Sequence, residues 1–91
     1  MIFIYKKIIK NYINHLTIDD IKNYAKKQNE IITEKEANII YEHIKKYQNE
    51  LLNHNTSSFK ILKENLRNDL FQKITLLYNE TYDKYKFYLQ N

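Results

Sequence analysis

Apolar side chains recur every three or four residues along almost the whole chain. In the segment 33–52 the steps between them are 3, 4, 3 and 4, at Ala37, Ile40, Ile44, Tyr47 and Leu51. This spacing places side chains on one face of an α-helix, whereas a half-buried strand alternates apolar and polar residues. The chain also has neither glycine nor proline, on which tight hairpin turns depend. The pattern therefore predicts an all-α protein.

Polar residues at helix ends divide this pattern into separate helices. Thr33, with Glu36 three residues later, matches a capping box, in which each side chain bonds the other residue's backbone amide. Thr17, followed by two acidic residues, predicts a second helix start. Asn29 can adopt the left-handed conformation that ends the helix begun at Thr17. We expect the helix that begins at Thr33 to run without interruption to Leu52.

The second half of the chain predicts one further break. Ser57 or Ser58 can cap a helix after a polar loop, and Asn68 can cap the last helix. We favour a break near Arg67, and an unbroken helix from the serines onward is the alternative.

These segments predict a compact bundle of four or five helices, with the long helix near residues 33–52 as its central element. Short connections make the second and third helices neighbours, packed as an antiparallel hairpin. The predicted core consists of the aliphatic and aromatic residues on the inward faces: Ile13, Leu16, Ile21, Tyr24, Ile32, Ala37, Ile40, Ile44, Phe59, Leu62, Leu66, Phe71, Ile74 and Leu77.

Composition excludes most enzyme motifs. Without glycine the chain cannot carry a P-loop, a dinucleotide-binding fingerprint or a nucleophile elbow, and without cysteine it has no thiol chemistry. His15, His43 and His54 lie 28 and 11 residues apart, which is not a metal-ligand spacing, and we expect all three at the surface or its boundary.

Other candidate catalytic groups have simpler explanations. The carboxylate pairs, Asp19 with Asp20 and Glu34 with Glu36, fall in first helical turns, where acids favour the helix dipole. Spacing assigns no base to the two serines. We therefore expect no enzymatic activity, no cofactor and no metal ion.

The formal net charge of +4 raises the question of an anionic partner. Arginine suits phosphate best because its planar group bonds two oxygens at once, yet Arg67 is the only one among 15 basic residues. Charge therefore gives weak support to nucleic-acid binding. No segment is long enough to span a membrane or resembles a signal peptide, so we expect a cytoplasmic protein.

Four tyrosines recur at helical spacing near the C-terminus, with two lysines between them: Tyr78, Tyr82, Tyr85 and Tyr88, with Lys84 and Lys86. Such a stripe is typical of a core edge or a self-association surface, because tyrosine combines a large apolar area with a hydroxyl. Stacking on single-stranded RNA is one alternative. A frayed tail without function is another.

The N-terminal helix has a wide apolar face that includes Ile2, Tyr5 and Ile9, opposite lysines. This pattern also occurs in helices that lie on a membrane surface, but packing against other helices or a second copy is the simpler interpretation. The leading hypothesis is a non-catalytic protein–protein interaction module, and a second copy of the chain, in a homodimer, is one candidate partner. The alternative is an accessory RNA-binding protein that uses lysine and tyrosine side chains.

Three short runs resemble a known family. They are Leu16 to Ile21 (LTIDDI), Tyr24 to Lys26 (YAK) and Ile31 to Ala37 (IITEKEA). They are similar to the YqfT-like proteins, domain of unknown function 2624, of low-GC Gram-positive bacteria. A weaker similarity from Phe59 to Leu77 extends the resemblance to about residues 12–80. The resemblance implies a small cytoplasmic all-helical bacterial protein with no assigned function and no catalytic residue.

The chain also departs from that family. Relatives have an Arg-Gly-Lys turn after the long helix, where this chain has Lys45-Lys46-Tyr47, and the end of the chain has no counterpart. We therefore expect a single domain, 1–91. It comprises an amphipathic N-terminal helix (1–16), a core resembling the family (17–80) and a Tyr-rich C-terminal extension (81–91).

Overall fold

The computed structural model describes the backbone of residues 2–89 and the side chains of residues 6–86. Six helices follow one another along this part of the chain, which contains no strand: α1 (Ile2–Asn14), α2 (Ile18–Lys27), α3 (Glu34–Lys46), α4 (Gln48–Leu52), α5 (Phe59–Asn65) and α6 (Asn68–Leu89). The all-α prediction is confirmed, and the described helices number six rather than four or five.

Helices α2 and α3 both begin with a capping box. The Thr33 hydroxyl accepts a hydrogen bond from the Glu36 amide at 3.0 Å, and the Glu36 carboxylate accepts one from the Thr33 amide at 2.9 Å. The latter bond is the main cause of the lowered pKa of Glu36. Thr17 and Asp20 form the same pair of bonds, at 3.1 and 3.0 Å. Both predicted helix starts are confirmed.

In both α2 and α4, the second residue after the helix has left-handed backbone geometry. Asn29 has φ 62°, and the amide of Glu30 donates to the carbonyl of Ala25 at 2.9 Å. This is the Schellman arrangement, and it confirms the predicted role of Asn29. His54 has φ 56° and occupies the corresponding position after α4, which the sequence did not predict.

The predicted uninterrupted helix from 33 to 52 is wrong. Helix α3 ends at Lys46, and Tyr47 (φ −110°, ψ 25°) separates it from α4. The side-chain amide of Gln48 donates to the Lys45 carbonyl at 3.1 Å, which satisfies an acceptor near the break. A one-residue interruption leaves the apolar spacing intact, so periodicity cannot detect it.

The longest helix of the described chain is α6. Its 22 residues correspond to about 33 Å at 1.5 Å per residue, close to the 37 Å long dimension of the molecule. Helix α6, rather than the segment 33–52, therefore sets the length of the bundle. The radius of gyration, 13.0 Å, is close to the roughly 12 Å expected for a compact chain of this length.

The predicted break near Arg67 is confirmed, but the predicted caps around it are not. Asn68 is the first residue of α6, and the Phe71 amide donates to the Arg67 carbonyl, so Arg67 takes the cap position. Ser58 precedes α5, yet its hydroxyl makes no cap bond because it pairs with His43 instead.

The core lies where α2, α3, α5 and α6 meet, and α2 packs against α3 as predicted. Its buried apolar residues are Ile21, Ile32, Ala37, Phe59, Leu62, Leu66 and Leu70. The other predicted core residues are partly buried around these, except Tyr24. Tyr24 is 52% exposed, so its assignment to the core was wrong. It lies at the edge of the apolar stripe of α2, where its hydroxyl stays in water.

Candidate functional site

Tyr78, the first residue of the predicted tyrosine surface on α6, packs against the rest of the protein. The Tyr78 hydroxyl donates a hydrogen bond to the Leu51 carbonyl, and its ring meets Phe59 edge to face, with centroids 5.3 Å apart. Burial raises the pKa of Tyr78 to about 12. Tyr78 therefore attaches α4 and α5 to α6 and is not free to contact a partner.

Tyr82 is likewise engaged within the chain. Its ring stacks on His54, with centroids 3.8 Å apart and planes 9° from parallel. The His54 ring also lies within 3.3 Å of the Asn79 side-chain oxygen. His54 lies between α4 and α5, so its contacts with Tyr82 and Asn79 hold the α4–α5 connection against α6.

The remaining members of the predicted surface are more open. Tyr85 is 43% exposed, and the Lys84 ammonium lies 5.5 Å from the centre of its ring. Lys86 is partly buried, and Tyr88 lies outside the described side chains. The stripe is therefore divided: Tyr78 and Tyr82 stabilise the fold, and Tyr85 faces solvent.

Of the three residues predicted to form a surface on α1, the structure describes the side chain of one. Ile9 is partly buried, and the side chains of Ile2 and Tyr5 lie outside the described residues. Ile8 and Tyr12, one turn apart, are 59% and 66% exposed. The α1 patch, defined as Ile8 and Tyr12, is the exposed apolar part of this helix that the structure describes.

A cleft of about 440 Å³ opens into the centre of the bundle, with walls from all six helices. Its wall includes Leu62 and Leu70, each 3% exposed, together with the more exposed Tyr12 and Tyr24. The apolar pattern of the sequence does not reveal this central cleft. Most of its aliphatic wall residues were assigned to the core, and periodicity cannot show that helices leave space between them.

The two carboxylates on the cleft wall are already bonded within the protein. Asp20 belongs to the capping box with Thr17, and Glu30 forms a 3.4 Å ion pair with Arg67. Neither lysine nor arginine occurs among the described wall residues. The cleft therefore presents an apolar surface with no cation.

His43 is buried, contrary to the prediction that all three histidines lie at the surface or boundary. His43 is 6% exposed, its Nε2 lies 3.0 Å from the Ser58 hydroxyl oxygen, and the Tyr47 and Phe59 rings flank it. Burial lowers the pKa of His43, which favours the neutral ring. His43 follows Ile40 by three residues on the inward face of α3, a signal in the sequence that could have placed it there.

His43 and Ser58 resemble a base and a nucleophile, a pairing that sequence spacing did not show. No carboxylate orients the ring among the described residues, and Ser58 is also 6% exposed. A substrate carbonyl would have to enter the core to reach Ser58. The pair is therefore best explained as a satisfied polar contact between α3 and the start of α5.

Arg67 joins three segments of the chain. Its guanidinium donates to Glu36 at 2.8 Å and to the Ile31 carbonyl at 3.2 Å, and it also pairs with Glu30 and Asp69. The bond to Glu36 is the main cause of the raised pKa of Arg67. The single arginine thus holds the α2–α3 connection against the start of α6, a role that its position in the sequence did not reveal.

Metal sites, membrane-spanning helices and related proteins give no evidence for a particular function. Among the described residues, no three histidine or acidic side chains cluster closely enough to hold a metal ion. None of the helices in that part of the chain combines the length and apolar character needed to cross a bilayer. Comparison with family models, curated proteins and solved structures finds no match to this chain.

Proposed function

We propose that this protein is a non-catalytic interaction module of the cytoplasm that binds a second copy of itself. The observation that carries this proposal is the α1 patch, where Ile8 and Tyr12 are both more than half exposed. Contact between water and exposed apolar groups is unfavourable, and burying these groups against a partner lowers the free energy of the system. The exposed Tyr85 on α6, which packs against α1, can extend the interface.

A second copy fits this surface because a twofold interface brings the same patch together from both chains. Each copy carries a formal charge of +4, so the two chains repel each other at long range. Salt screens that repulsion and leaves apolar contacts in place. We therefore expect association that is unchanged or stronger at high salt, the opposite of binding to nucleic acid.

The positions of the candidate catalytic groups support a non-catalytic role. His43 lies on the wall of the central cleft, but Ser58 is 6% exposed and is not among the wall residues, so a substrate in the cleft would not meet the hydroxyl. For the alternative, an accessory RNA-binding protein, Lys84 and Tyr85 are the exposed described residues of the predicted tyrosine surface, and Lys7 and Lys10 on α1 are exposed as well. Tyr78 and Tyr82 already pack within the chain.

Sedimentation velocity over a dilution series tests the proposal with two matched variants. Ile8→Glu places a charge in the α1 patch. Ile31→Glu makes the same change at a side chain that is 90% exposed in the α2–α3 connection. We expect the wild type and Ile31→Glu to dimerise and Ile8→Glu to stay monomeric, with the melting temperature that the wild type has at a dilution where it too is monomeric. A wild type that is monomeric at high concentration, or equal association of both variants, would contradict the proposal.

A further inference from the structure

The central cleft enters the core, which distinguishes it from a surface groove. Leu62 and Leu70, each 3% exposed, belong both to the core cluster and to the wall of the cleft. A partner helix would rest on a surface formed by two or three helices, but this space is bounded by six. Its volume, about 440 Å³, lies within the roughly 300–1,000 Å³ typical of small-molecule sites. Its shape therefore suits a small molecule.

The polar groups on the wall determine what charge such a molecule can carry. Four of them are bonded within the protein: Asp20 to Thr17, Glu30 to Arg67, His43 to Ser58 and Tyr78 to Leu51. The described wall contains no lysine or arginine. A carboxylate or phosphate on the ligand would therefore enter without a cation to pair with, which is costly in an apolar site. Asp20 is exposed and Glu30 is paired with Arg67, so the interior of the cleft offers no free carboxylate to a cation either, and the wall favours an uncharged molecule.

We infer that the central cleft binds one uncharged, mainly apolar small molecule of roughly 15 non-hydrogen atoms, the number that fills this volume at ordinary packing density. Apolar cavities disfavour water, and their lining atoms lack dispersion contacts that a ligand supplies. The hydroxyl group of Tyr24, a wall residue that is 52% exposed, can bond a polar end of the ligand that stays in contact with water. This site goes beyond the proposed dimer and does not depend on it.

Two fluorescent probes with one aromatic skeleton test the inference. N-phenyl-1-naphthylamine is uncharged, and 1-anilinonaphthalene-8-sulfonate adds an anionic group to it. We expect the uncharged probe to bind at one molecule per chain and to raise the melting temperature, because it binds the folded state. We expect the sulfonate to bind at least about tenfold more weakly, because its charge finds no partner in the cleft.

A matched pair of variants on α6 locates the binding. Ile74 lines the cleft, whereas Leu76, two residues away, is 53% exposed and outside it. Ile74→Phe should fill part of the cleft and weaken binding of the uncharged probe at least about tenfold, and Leu76→Phe should bind like the wild type. If Ile74→Phe does not melt cooperatively, Ala25→Leu fills the cleft from α2 and replaces it.

Three results would overturn the inference: equal binding to the filled and control variants, a sulfonate that binds as tightly as the uncharged probe, or probe uptake without a rise in melting temperature. The variant Ile8→Glu separates this inference from the proposed dimer. A monomeric Ile8→Glu that still binds the uncharged probe supports the cleft site independently. A wild type that is monomeric but binds the probe removes the dimer proposal and leaves the cleft site standing.

Discussion

Replacing Leu70 by alanine should lower the free energy of unfolding by about 3 kcal/mol. Leu70 is 3% exposed and belongs to the core cluster near the start of α6. The substitution removes three carbon atoms, worth about 2.4 kcal/mol at ~0.8 kcal/mol for each buried carbon, and the void it leaves adds to this loss. The free-energy cost of this void is small, because one side of Leu70 already faces the central cleft.

Leu76→Ala is the matched control, since it makes the same chemical change in the same helix. Leu76 is 53% exposed, so about half of its transfer free energy is at stake, or about 1 kcal/mol. Any gain in helix propensity from alanine is the same at both sites. The difference between the two variants therefore reports burial.

Thermal melting followed by far-ultraviolet circular dichroism measures both variants at one protein concentration. At about 4–8 °C per kcal/mol for a domain of this size, Leu70→Ala should melt roughly 12–24 °C lower than the wild type. Leu76→Ala should melt no more than about 8 °C lower. Equal shifts for the two variants would refute the assignment of Leu70 to the core.

Three further side chains give testable predictions. Arg67→Lys should destabilise the fold nearly as much as Arg67→Ala in urea denaturation, because an ammonium cannot keep the several directed bonds of the guanidinium; full rescue by lysine would contradict this. Tyr78→Phe should lower the melting temperature. In wild-type protein, stability should decline as the pH rises from 10 toward 12, because folding raises the pKa of Tyr78 to about 12. Folding lowers the pKa of His43, so the protein is more stable where the ring is neutral. This contribution to the free energy of unfolding should be complete above about pH 6.5 and should decrease as the pH falls below that value. It should change no further once the pH is below the pKa of His43 in the folded protein. Urea denaturation across this pH range should show a smaller decline in His43→Gln, and an equal decline would contradict the assignment.

The helix ends that the sequence predicted correctly depend on local contacts. Thr33 and Glu36 bond each other within three residues, and Asn29 adopts its conformation within the turn itself. Such signals can be read from neighbouring residues alone. The interruption at Tyr47 was missed because apolar residues keep their spacing across it.

The candidate site was harder to predict because it depends on contacts between distant residues. His43 meets Ser58 across fifteen positions, and Arg67 meets Glu36 across thirty-one. Composition and spacing do not specify which helices meet, so they could not show that Tyr78 is used internally. The central cleft is still harder to predict from the sequence, because it is the space that six packed helices leave unfilled.

Multi-angle light scattering of the purified wild-type protein, at low and at high salt, tests the proposed function most directly. The ultraviolet absorbance ratio of the same peak reports any bound nucleic acid. We expect the mass of a dimer without nucleic acid, unchanged or more completely dimeric at high salt because the chains repel each other less. A monomer that carries nucleic acid at low salt and releases it at high salt would contradict the proposal and favour the RNA-binding alternative.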